Sequence, residues 1–123
     1  MENNFFRRLA MRTRAEAIQF CSKLNQVFED YPFSDTNWTV MRHRRNHKVF
    51  AWIFEKDGYI WINVKCDPEW RDFWRSAFSS VVPAFHLNKQ HWNSIILDGT
   101  VPDEDIYQMI EESYRLTKTR QSK

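Results

Sequence analysis

From Thr13 onward, Ala17, Phe20, Cys21, Leu24 and Phe28 recur three or four residues apart, the apolar stripe of an amphipathic helix. Thr13 and Glu16 have capping-box spacing, which lets each side chain satisfy a free backbone N–H at the helix start. Tyr31-Pro32 closes the segment, because proline disfavours helix at the residue before it. The pattern then changes to the period of a sheet. Asn37–Arg44, Lys48–Phe54 and Tyr59–Val64 are rich in β-branched and aromatic residues and read as three strands. Arg45-Asn46-His47 turns the first into the second, and Asp57-Gly58 suits a tight hairpin between the second and third. Helical spacing returns after Asp67-Pro68, an N-cap followed by proline at the first helical position, with Trp70, Phe73, Trp74 and Ala77 on one face. Val81-Val82-Pro83 and Trp92–Leu97 read as two further strands, and Asp98-Gly99 turns the second of them. A last helix begins at Pro102. Asp103, Glu104 and Asp105 complement its dipole at the front, Lys118 and Arg120 at the back, and Ile106, Met109, Ile110 and Tyr114 supply its buried face. The order is α-β(3)-α-β(2)-α, which predicts an α+β two-layer sandwich with helices on one face of an antiparallel sheet.

Strand parity sorts the central hairpin into two unlike faces. Val49, Ala51 and Ile53 join Ile60, Ile62 and Val64 on an aliphatic side suited to helical cover. The other side carries Phe50, Trp52, Phe54, Tyr59, Trp61, Asn63 and Lys65. Two layers leave that aromatic side without a helix, and an exposed patch of this size is unusual on a solitary domain. Three coverings compete: a loop or the N-terminal segment, a second copy in a homodimer, or stacked nucleic-acid bases on Trp52 and Trp61.

The chain has 123 residues, the size of one domain, and 42% hydrophobic and 16% aromatic content gives it ample core. Residues 1–12 are expected to form a flexible basic segment that Phe5 and Phe6 could tether, and residues 13–120 a single domain. Cys21 and Cys66 sit in no metal-type spacing, and two lone thiols suit a reducing compartment. No signal-peptide-like or membrane-spanning apolar run occurs, so a cytoplasmic location without membrane association is expected.

The net charge is only +2, but its distribution is uneven. Arg7, Arg8, Arg12 and Arg14 crowd the start. No acid falls between Asp35 and Glu55, a gap that holds Arg42, Arg44, Arg45 and Lys48. A hairpin tip with four fixed cations can lie along a phosphate backbone, although such tips are often no more than solvated turns. The second concentration of chemistry is His86-Leu87-Asn88-Lys89-Gln90-His91-Trp92-Asn93. A metal would need His86 and His91 with Cys66 or Asp67, but the five-residue histidine spacing does not share a helical face. Cys66 precedes a helix start, which can activate a thiol, yet no nucleophile motif surrounds it. The structural alternative is that His86 and Asn88 fix a loop while Trp92 anchors it. Lys89 and His91 remain able to meet a phosphate in that arrangement.

Val64-Lys65-Cys66-Asp67-Pro68, the run from Pro83 to Asn93, and Leu97-Asp98-Gly99 together resemble the MmcQ/YjbR family. Tyr31-Pro32-Phe33, Trp38-Thr39-Val40, Lys48-Val49-Phe50-Ala51 and Ser113-Tyr114 fit the same pattern, so the likeness covers nearly all of the chain after the first dozen residues. The resemblance implies the α-β(3)-α-β(2)-α sandwich, similar to secretion-chaperone and frataxin-like folds, and DNA binding through paired wing-like elements. Ala84 replaces a usual glycine, as does Asn46-His47 in the turn before Lys48. The expectation is a non-enzymatic DNA-binding protein that needs no cofactor. Arg42, Arg44, Arg45, Lys48, Lys65, His86, Lys89 and His91 would contact the nucleic acid, and Trp52 and Trp61 would offer stacking surfaces. The competing expectation is a protein-interaction or chaperone-like module that uses the aromatic sheet face.

Overall fold

The computed structural model describes residues 10–118. Helix α1 (Arg14–Ser22) starts as the sequence predicts: Thr13 Oγ1 accepts the Glu16 N–H at 3.1 Å, and Glu16 Oε1 accepts the Thr13 N–H at 3.0 Å. It ends earlier than predicted. Gln26 adopts a left-handed φ of 58°, and the chain leaves as strand β1 (Val27–Asp30). Phe28 therefore lies in a strand opposite Arg42 rather than on the helix. The apolar spacing of Leu24 and Phe28 satisfies a helical period by coincidence. Pairing with the neighbouring strand satisfies the backbone from residue 27 onward.

The remaining elements are β2 (Thr39–His43), β3 (Val49–Lys56), β4 (Tyr59–Lys65), α2 (Pro68–Ala77), β5 (Val81–Pro83), β6 (Trp92–Ile96) and α3 (Asp103–Thr117). The six strands form one open antiparallel sheet in the order β1-β2-β3-β4-β6-β5, one strand more than the sequence predicts. The helices pack on one face of it, α1 near β1 to β3, α3 on β3 and β4, and α2 on β5 and β6. Ala51, Ile53, Ile62 and Val64 lie buried under them with Met41, Ile106, Met109 and Ile110, as their parity requires. Met11 joins this core, and its N–H donates to Asp103 Oδ1 at 2.7 Å.

Phe50 departs from its expected face. The β2–β3 register shifts between Met41 and Arg42, so that Met41 faces Ala51 and Arg42 faces Val49, and Phe50 is the extra residue of a bulge. Its ring turns under α3, 5.4 Å from Tyr114 and 5.2 Å from His43. Ser113 holds the bulge: its hydroxyl donates to Phe50 O at 2.6 Å and accepts the Lys65 N–H at 2.8 Å. Loop rings cover part of the remaining aromatic face, leaving Trp52 and Trp61 half-buried and Tyr59 exposed. Trp38, at the end of the β1–β2 loop, stacks on Phe54 at 4.4 Å, and Phe85 from the β5–β6 loop stacks on the same ring at 5.7 Å. Phe54 is consequently buried.

Candidate functional site

The β2–β3 turn puts its cations at one end of the sheet. Asn46 shapes that turn, accepting the Lys48 N–H at 2.8 Å and donating to Thr117 O at 2.9 Å, and His47 takes the left-handed φ of 64° that a glycine would otherwise supply. Arg44, Arg45 and Lys48 emerge exposed. Arg42 does not join them: it pairs with Asp30 on β1 at 2.8 Å and donates to His47 O, a tie across the sheet edge. None of the ion pairs formed among the described residues uses Arg44, Arg45, Lys48 or Lys118.

Between this turn and the end of α3 lies a cavity of about 580 Å³, lined by Asn25, Gln26, His43, Arg44, Arg45, Tyr114 and Lys118. Three of the seven are permanent cations and none is a carboxylate. Lys118 Nζ lies 5.4 Å from the Tyr114 ring centroid, and Arg44 lies 5.5 Å from that of Phe28, so ring faces hold both long side chains. Tyr114 donates to Asn25 O at 2.6 Å and ties α3 to the turn after α1. His43 is buried, with Nε2 2.8 Å from Thr117 Oγ1. Burial foremost, with the positive charges of Lys118 and Lys48, holds its pKa below the usual histidine value. Tyr114 and Lys118 carry no local binding signal in the sequence. They reach the turn only because α3 crosses the sheet toward it.

The other anticipated contacts are more dispersed. Lys65 pairs with Trp92 in the register, so the end of β4 and the start of β6 lie at the same end of the sheet as the β2–β3 turn. His91 is exposed there, and its carbonyl accepts the Cys66 N–H at 2.8 Å. Lys89 instead folds onto its own loop and donates to Ala84 O at 2.8 Å. His86 lies beside Phe85 on the aromatic face, with a left-handed φ of 67°. Ala84, by contrast, is buried without positive φ, so the family's glycine is not required at that position. Arg12 and Arg14 are also remote from the turn. Arg14 reaches Asn37, Thr39 and the Ile53 carbonyl, and Arg12 lies against Gly99, both at the opposite end of the sheet. Arg7, Arg8, Phe5, Phe6 and Arg120 fall outside the described residues.

Most of the His–Asn–Lys–His segment serves to hold its own loop. Asn88 Oδ1 accepts the N–H groups of Gln90 and His91, Arg75 donates to Asn93 Oδ1 and to the carbonyls of Lys89 and Trp92, and Arg71 donates to Gln90 O. Beneath it, Ser94 donates to Asn63 Oδ1 while Asn63 donates to Phe85 O and Ser94 accepts the Phe85 N–H. No group of three or more His, Cys, Asp or Glu able to hold a metal stands together among the described residues. Burial pushes the Cys66 thiol up to about 11, with Glu112 adding to the effect, and the Cys21 thiol up to about 12. No helix among the described residues is long and apolar enough to cross a membrane.

The two anticipated stacking tryptophans differ. Trp61 donates to Lys56 O, and the Lys56 ammonium lies 5.1 Å from its ring centroid. Trp52 is half-buried against Phe33 and Trp38 and lines a second cavity, of about 570 Å³, between the β1–β2 and β5–β6 loops.

The model of the YjbR family matches residues 22–116. The uncharacterised protein YyaQ of Bacillus subtilis is 35% identical over 119 residues, spanning 88% of this chain and all of that relative. The uncharacterised protein YjbR of Escherichia coli K12 is 29% identical over 103 residues, 84% of this chain and 85% of its own. Among solved structures, the Deinococcus radiodurans protein DR2400 superposes with a TM-score of 0.79 at 30% identity, covering 92% of this chain and 83% of that one. A Pseudomonas syringae protein superposes with a TM-score of 0.77 at 27% identity, covering 86% and 99%.

Proposed function

The chain belongs to the YjbR family, and from that footing we propose that it is a non-catalytic protein that binds the phosphate backbone of DNA through the basic β2–β3 turn. The observation that carries this reading is the cavity at the turn, which Arg44, Arg45 and Lys118 line with no carboxylate among their companions. Cations held by ring faces rather than by acids keep their charge available to a polyanion. Lys48 extends the positive surface along the turn, Lys65 continues it along the same end of the sheet, and exposed His91 adds a hydrogen-bonding ring there. Arg42 and Lys89 serve the scaffold. Binding of this kind is driven by counterion release and depends little on base sequence. The buried, protonated state of both thiols favours binding over covalent catalysis.

The rival reading, a protein-interaction module built on the aromatic face, draws less support. Loops already bury Phe54 and leave Trp52 and Trp61 half-buried, so less of this face is free than strand parity alone implies.

Duplex DNA titrated at two salt concentrations tests the reading. Native protein should bind at low salt and weaken steeply as salt rises. Arg44→Ala with Arg45→Ala should lower low-salt affinity by about tenfold or more, and reduce the slope of log K against log salt by about 2. Lys118→Ala should act in the same direction by about half as much. Equal affinity in native and double-variant protein would rule out this surface.

A further inference from the structure

The cavity at the basic turn has the build of a socket. Three segments wall it, and each is tied to the next. Arg44, on the β2–β3 turn, donates its N–H to Gln26 O, on the link between α1 and β1, at 2.8 Å. Asn46 joins the same turn to α3 by donating to Thr117 O at 2.9 Å. The Tyr114 hydroxyl completes the circuit from α3 to Asn25 O at 2.6 Å. Buried His43 forms the floor. Walls fastened on three sides over a buried floor suit the end of a strand better than its middle.

The socket is also charged for a dianion. Arg44, Arg45 and Lys118 line it, and no carboxylate does. The last carbonyls of α3 are already engaged: Asn46 occupies Thr117 O, and the Thr117 hydroxyl donates to Ser113 O at 2.7 Å. Burial first, and then the charges of Lys118 and Lys48, hold the His43 pKa down, so the floor feels the positive field of the rim. A phosphodiester inside a strand carries a single negative charge. A phosphate monoester carries about −1.5 to −2 at pH 7 and offers three terminal oxygens. Guanidinium forks pair with two such oxygens at once. The volume, about 580 Å³, falls in the range of small-molecule sites.

On the polyanion reading of this surface, which the assignment presupposes, we infer that the socket takes a phosphate monoester, the group at the end of a nucleic-acid strand or on a free nucleotide. Lys48 and Lys65, outside the socket, are left to the internal diesters.

A short single-stranded DNA in two forms, with phosphates or with hydroxyls at both ends and a fluorophore on an internal base, provides the test. Native protein at low salt should bind the phosphorylated form at least about tenfold more tightly. Arg45→Gln and Lys118→Gln should each cut that preference to below about threefold. Lys65→Ala should weaken both forms alike and keep the preference. Arg45 and Lys118 are exposed, so the melting temperature should hold and separate lost binding from lost folding. Thymidine 5′-monophosphate should compete with the phosphorylated form, and thymidine should not. Competition at the strand's own affinity identifies free nucleotides as the source of the group, and weaker competition identifies strand ends. Equal affinity for the two forms, a preference unchanged in both variants, or equal competition by thymidine and its monophosphate would overturn the inference. Closed circular duplex DNA, which has no ends, then decides the wider reading. Salt-sensitive binding of the circle leaves the backbone contact standing, whereas no binding of any form at low salt removes both.

Discussion

Two histidines in and beside the basic turn have opposite circumstances. His43 is buried against Thr117, Phe50 and Tyr114, and burial with the charges of Lys118 and Lys48 depresses its pKa. In the unfolded chain the same imidazole takes up a proton near pH ~6.5. Between that value and the lower folded one, the unfolded state holds more protons, so folding weakens as acid is added. The stabilising contribution is complete above about pH 6.5 and is lost as pH falls below it, by up to about 1.4 kcal/mol per pH unit. Urea midpoints at pH 7.5 and 5.5 should differ more for native protein than for His43→Gln. His47 is exposed and occupies a left-handed φ of 64°, where a Cβ is strained. His47→Gly removes about 1 kcal/mol of that strain at the loss of an edge contact with Phe28. Thermal unfolding should find the variant at least as stable as native protein. Ser113 is the third telling residue. Ser113→Ala strands the Lys65 N–H and frees the Phe50 carbonyl in the core, and should lower stability by about 1–3 kcal/mol in denaturant titration.

At the scale of elements, the helix starts and tight turns were legible because each is a local chemical arrangement. Thr13 with Glu16, Asp67 with Pro68, and Asp57-Gly58 all occupy their expected positions. The features missed depend on partners distant in sequence. Strand β1 is set by its pairing with β2, and the burial of Phe50 by a bulge that the register of β2 imposes. Periodicity within a segment carries neither. The candidate site divides the same way. Arg44, Arg45 and Lys48 were visible as a run without acids, whereas Lys118 and Tyr114 arrive from the far end of the chain. Arg42 and Lys89 looked equivalent to their neighbours in sequence, and only Asp30 and the Ala84 carbonyl distinguish them. The β5–β6 loop shows how much of a motif can be scaffold. Arg75, on α2, reaches three acceptors in that loop and β6, so Arg75→Met should loosen the whole segment. Faster amide exchange over residues 86–91, with β3 and β4 unchanged, is the expected signature.

The molecule as a whole is asymmetric. One sheet face is covered by three helices over a continuous, mainly aliphatic core, while two loops cover part of the other with rings that bury Phe54 and leave Tyr59 exposed. Loops ordered by a few rings and hydrogen bonds open at lower free energy than a helix-covered sheet. The β1–β2 loop should therefore form its own opening unit, held chiefly by Asn37, which contacts both backbone groups of Glu55 and accepts from Arg14 through Oδ1 and its carbonyl. Asn37→Ala removes the side-chain oxygen that accepts two hydrogen bonds and the amide donor together, and should lower the opening free energy of the loop by about 1–3 kcal/mol. Native-state hydrogen exchange checks this directly. Amides that pair β3 with β4 should retain the global exchange free energy, less only what the substitution takes from it, while the amides at positions 37 and 38 exchange far faster. If both sets instead accelerate equally, the loops open only with the whole domain, and the aromatic face belongs to the same cooperative unit as the core beneath the helices.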